Sequence, residues 1–147
     1  MKKLKRICEK YGWVVYLVLG LLWLVYGFTQ AFYPERLNDA QYITGMSLSE
    51  LEASFPEATK LVLFLYGTIG LLKMSWSLLV LAITLTGFRR GEKWAWYTLW
   101  LVPTILVGQG LFNSVFFNDF KEMLQWIPIT TVSLVGLFIP YRRFFPR

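Results

Sequence analysis

Residues 60–90 read KLVLFLYGTIGLLKMSWSLLVLAITLTGFRR, an apolar run closed by charge at both ends and interrupted by a single cation, Lys73. At about 1.5 Å per residue, a helix of this length is more than enough to cross the roughly 30 Å hydrocarbon core of a bilayer. The spacing therefore predicts a transmembrane helix. Lys73 lies 13 residues from Lys60 and 16 from Arg89, which is about 20 Å and about 24 Å along the axis. That is too deep for easy snorkelling. An ammonium at such depth costs about 2.5 kcal/mol or more unless it meets a partner, water or an anion, or gives up its proton.

The rest of the composition agrees with a membrane protein. The chain has 147 residues, 56% hydrophobic and 18% aromatic against 16% charged. A soluble domain of that size could not bury so much apolar surface. Its formal charge of +6 does not suggest nucleic acid, because the basic residues sit in short clusters beside apolar runs and not on one face with stacking aromatics. With no histidine and one cysteine, Cys8, the usual zinc, haem and iron-sulfur ligand sets and an internal disulfide are excluded, and no metal or cofactor is expected.

Three further spans follow from the same reading. A basic collar, residues 1–12, precedes an apolar run that is about twice a signal-peptide core and ends in a weak cleavage site, so it is expected to be a retained span over about 12–32. The organising helix covers about 58–88, and the others about 93–117 and 124–140. Between the first two lies a polar loop, 33–57, in which Ser47-Leu48-Ser49-Glu50 has capping-box spacing and predicts a short helix ending before Pro56. Pro56 and Glu57 suit the first turn of the next helix. Pro103 should kink the third span, and Pro128 marks the fourth. Seven tryptophans fall mostly near span ends, as interface anchors do.

Charge sets the orientation. Five basic residues lie in the amino-terminal collar, three in the turn over 89–93 and three in the tail, whereas Arg36, Lys60 and Lys121 lie on the other side. By the positive-inside rule both termini are cytoplasmic, and the expected fold is an all-α, single-domain, four-helix membrane bundle with a short extra helix in the first outer loop. The setting is expected to be the cytoplasmic membrane of a prokaryote.

Helical periodicity gives each span an inward face. Tyr16, Gly20, Trp23, Gly27 and Gln30 share one stripe, and Tyr66, Gly70, Lys73, Ser77 and Thr84 another. Counting sixteen residues from each cytoplasmic charge places Tyr26, Lys73, Gln109 and Trp126 at a common depth, with Gln30, Tyr66 and Asn113 nearby. These residues and Ser77 are the candidate ligand-binding set. No Asp or Glu falls inside a span, so candidate ion partners of Lys73 are Asp119, Glu122, Glu35 and Asp39 from the outer loops. Arg89, Arg90 and Lys93 are candidate contacts for lipid headgroups. Catalytic residues are not expected, since nucleophile elbows, phosphate loops and His-containing triads are missing. The leading expectation is a membrane protein that binds or passes an amphipathic or anionic small molecule or lipid at Lys73. A non-catalytic scaffold or accessory subunit, partnered by its own copies or other membrane subunits, is the alternative, and an intramembrane lipid-modifying enzyme ranks third.

Overall fold

The computed structural model describes residues 11–33, 45–116 and 120–146, except for the side chains of 116, 120–123 and 125. Among these residues the backbone is helical and contains no strand. Helix α1 spans Trp13–Phe32, α2 Leu48–Ser54 and α3 Pro56–Ile83, which runs on through a π-helical turn, Thr84–Phe88. Helices α4 (Lys93–Leu99), α5 (Leu101–Phe116), α6 (Phe120–Phe138) and α7 (Tyr141–Phe144) complete the order. Among the described residues three stretches are long and apolar enough to cross a membrane: Trp13–Phe32, Pro56–Phe88 and Lys93–Val115. Each exposes large apolar side chains, such as Leu22, Phe64, Leu72 and Val115, as a lipid-facing surface would.

Local chemistry accounts for the helix boundaries. The Ser47 hydroxyl accepts the Glu50 amide and the Glu50 carboxylate accepts the Ser47 amide, so the capping box closes and α2 starts at Leu48. The Ser47 hydroxyl also donates to the Glu50 carboxylate at 2.7 Å, and that bond first and the Ser47 amide second hold the Glu50 carboxyl below its ordinary range. The Phe55 amide bonds to the Leu51 carbonyl at 2.7 Å and ends α2. Pro56 then occupies the first position of α3, where no amide is needed. Pro103 acts one turn upstream of itself. Its ring crowds the carbonyl of Leu99, and the helix is interrupted at Trp100, between α4 and α5. Pro128 sits inside α6 and leaves it continuous. The π-helical turn is closed by the Arg89 amide on the Thr84 carbonyl at 2.9 Å, a bond that reaches one residue further than an α-helical one.

The chain divides into two compact units, one of residues 20–79 and one of residues 1–19 with 80–147. Within the second, the beginning of α1 meets the end of α6. A Cβ on Gly136 would lie 2.9 Å from a Val15 methyl, and the Tyr16 hydroxyl donates to the Ser133 carbonyl at 2.9 Å. Tyr16, Phe88 and Phe144 form a buried aromatic row with centroid spacings of 5.5 and 4.8 Å. Trp96 departs from the expectation that tryptophans serve as interface anchors. It is buried, its ring meets Tyr97, Trp100, Tyr141 and Phe145 edge-on, and its indole N–H donates to the Leu137 carbonyl at 3.1 Å. Leu137 lies in the last turn of α6, three residues before Pro140. Because α6 ends at Phe138, the Leu137 carbonyl has no α-helical donor within its own helix, and the indole satisfies it.

Candidate functional site

Residues 20–79 hold the helix crossing that positions Lys73. Gly27 and Gly70 stand face to face: a Cβ on Gly70 would lie 2.5 Å from the Ala31 amide nitrogen and 2.7 Å from the Gly27 carbonyl oxygen. A Cβ on Gly27 would lie 2.9 Å from the Gly70 carbonyl oxygen and 3.0 Å from the Met74 amide nitrogen. Backbone thus meets backbone, which only small residues permit and which membrane helices favour because dispersion rises steeply with close approach.

One turn from this crossing, three polar groups converge. Gln30 is three residues after Gly27, and Lys73 three after Gly70, so each lies on the contact face of its helix. The Lys73 ammonium donates to Gln30 Oε1 at 2.7 Å, and its Nζ lies 4.6 Å from the centroid of the Tyr26 ring. A charge-assisted hydrogen bond and a ring face are both strong cation contacts where water is scarce. Gln30 is 3% exposed, whereas Lys73 is half-buried and Tyr26 exposed, so the cluster is sealed on the Gln30 side and open on the other.

The remaining sequence-derived candidates fall in several places. Tyr66 is half-buried on α3, two turns before Lys73 on the same face. Ser77, fully buried, donates its hydroxyl to the Lys73 carbonyl at 2.7 Å. Its proton is thus committed to its own helix and not to the ammonium. Gln109, Asn113 and Trp126 belong to the other unit. There the Gln109 amide donates to the Asn113 side-chain oxygen at 3.2 Å, and Trp126 lines an open groove of about 220 Å³ between α5 and α6, with Leu106, Gly110 and Thr130 among its walls. Glu35, Asp39 and Asp119 lie outside the described residues, as does the side chain of Glu122. Arg89, Arg90 and Lys93 are exposed around the turn that follows α3.

Sequence periodicity brings out Gly27, Gln30, Gly70 and Lys73 as inward-facing, but not that the two glycines touch. The matching offsets, glycine three residues before Gln30 and glycine three before Lys73, are the signal that could have found the contact. Comparison with known protein families, with curated proteins and with solved structures gives no match, so no function comes to this chain by likeness.

Proposed function

We propose that this chain is a four-span protein of the cytoplasmic membrane, with both termini on the cytoplasmic side and α6 as its fourth span, that binds or passes an amphipathic or anionic molecule at Lys73. The observation that carries the reading is the convergence of the Lys73 ammonium, Gln30 Oε1 and the Tyr26 ring at a half-open point, midway along the Pro56–Phe88 apolar stretch and in the last two turns of α1. An ammonium held by an amide oxygen and a ring face at a half-exposed point is a positive charge to which a carboxylate or phosphate head is complementary. Exposed Ile69, one turn earlier on α3, and its neighbour Leu72 offer apolar surface for the rest of an amphiphile.

Photolabelling tests this directly. Palmitate carrying a mid-chain diazirine should label peptides of α1 and α3 around Tyr26 and Lys73, and the corresponding neutral alcohol should not. Lys73→Met should lower the labelling by about tenfold or more, the worth of one hydrogen bond to a charged group, while the helical content stays unchanged. Equal labelling of wild type and variant sinks the reading.

The scaffold alternative draws on the same contact, since the Lys73–Gln30 hydrogen bond ties α1 to α3. In that case acid and alcohol label alike, and Lys73→Met changes stability without changing any ligand's binding.

A further inference from the structure

The tail and the turn after α3 are more than fifty residues apart in sequence, yet both are rich in arginine and they meet. The Arg143 guanidinium donates to the Arg89 carbonyl. Its side chain crosses the turn at Gly91, where φ is 83° and an added Cβ would lie 3.2 Å from Arg143 Nε. Two aromatic faces steady the neighbouring cations: Arg89 lies 5.1 Å from the Trp13 ring centroid and Lys93 5.5 Å from that of Phe145. Arg90 completes the turn, and Arg142 sits beside Arg143 on α7. The turn's own carboxylate, Glu92, receives the Trp94 indole N–H. The turn thus carries three exposed cations, Arg89, Arg90 and Lys93, and one carboxylate, and Arg143 brings a fourth cation to it from the tail.

Positive-inside topology accounts for basic residues on this side of the membrane, but not for folding two basic segments onto each other. Like charges gathered at one turn repel one another, more strongly beside a protein surface than in bulk water. A bound anion relieves that repulsion. A guanidinium uses only part of its donor fork on a carbonyl, so Arg143 keeps donors for a phosphate oxygen. Exposed Trp94, Tyr97 and Tyr141 flank the cations, and exposed Leu101 continues the apolar surface along α5. Aromatic rings at this level mark the headgroup zone of a bilayer. We propose that Arg89, Arg90, Lys93 and Arg143 form a binding site for the phosphate of one anionic phospholipid, whose acyl chains run along α4 and α5. The charge complementarity selects phosphatidylglycerol-type heads over zwitterionic ones, and the site is separate from Lys73.

The full chain, purified in a neutral maltoside detergent and mixed with equal amounts of phosphatidylglycerol and phosphatidylcholine, should retain one phosphatidylglycerol in native mass spectra. The triple variant Arg90→Gln, Lys93→Gln, Arg143→Gln should reduce that preference by about tenfold or more, since each basic residue near a membrane surface is worth about 1 kcal/mol. Lys2→Gln with Lys3→Gln and Lys5→Gln removes the same charge from the collar and should leave the preference in place. Equal loss in the two triple variants makes the effect one of net charge and overturns the site. So does equal retention of both lipids by the wild type, or displacement of phosphatidylglycerol by millimolar inorganic phosphate, which would make the ligand a soluble anion. Should the arginine variant fail to fold, the wild type still decides. Raising NaCl from about 0.1 M to about 1 M shortens the Debye length from about 10 Å to about 3 Å and should release the lipid, whereas retention at high salt would mean acyl contacts alone and overturn the proposal.

Discussion

Residues 20–79 and the unit of residues 1–19 with 80–147 solve the same problem, burial between apolar helices, by opposite means. In the first, glycine brings α1 and α3 into backbone contact at Gly27 and Gly70, and the side-chain link beside that crossing is polar, Lys73 with Gln30 and Tyr26. In the second, large rings fill the space, with Tyr16, Phe88 and Phe144 in one row and Trp96 gathering four more around it. The contrast teaches where tolerance lies. Backbone contact cannot be relaxed by a rotamer change, while ring clusters can repack.

Gly70→Leu should therefore be the most damaging change, costing roughly 3 kcal/mol or more because the helices must separate, as read by thermal unfolding in detergent. An unchanged midpoint would show that α1 and α3 are not in backbone contact. Gln30→Leu should cost about 2 kcal/mol, the worth of a hydrogen bond to a charged group, and adding Lys73→Met to it should recover most of that loss. A double variant no better than the single one would mean the pair is not coupled. On the aromatic side, Tyr16→Phe keeps the ring and gives up the bond to Ser133, so the same melt should show a cost of about 1 kcal/mol. A loss as large as that of Gly70→Leu would erase the contrast. Gly108 has open space where a Cβ would stand. Gly108→Ala should change stability by less than about 1 kcal/mol, in the stabilising direction set by helix propensity, and a large loss would reveal a neighbour at that face.

The smallest effect concerns α2 and pH. Hydrogen bonds from Ser47 lower the Glu50 carboxyl in the folded chain. Its contribution to the capping box is therefore complete above the ordinary carboxylate range and is lost as pH falls through the lowered value. Protection of the Leu51 amide, which bonds to the Ser47 carbonyl at 2.9 Å, measured as its exchange rate against the intrinsic rate at each pH, should fall only under acid conditions. Loss of protection on the alkaline side would contradict the sign.

What the sequence disclosed follows from how far each interaction reaches. The apolar runs, the Ser47–Glu50 box and the break caused by Pro103 depend on neighbours within a turn, and their residue types announce them. Gln30 and Lys73 were legible as inward-facing, and Tyr26 as a residue of similar depth, since periodicity gives a face and rise per residue a height. Which helix faces which was not, because hydropathy looks alike on every span. The indole of Trp96 on the Leu137 carbonyl and Arg143 on the Arg89 carbonyl were likewise hidden. Both acceptors are backbone groups, and every residue carries one.

The widened turn at Thr84–Phe88 holds one residue more than an α-helical turn needs. That surplus shifts the angular phase of everything after it by about 100°, the rotation of a single helical step. Shortening the turn by one residue would re-aim Phe88 and Arg89 while leaving the phase of Gly70, Lys73 and Ser77 untouched. An insertion or deletion at this point is thus a dial that adjusts the basic end of the protein independently of its half-buried amine.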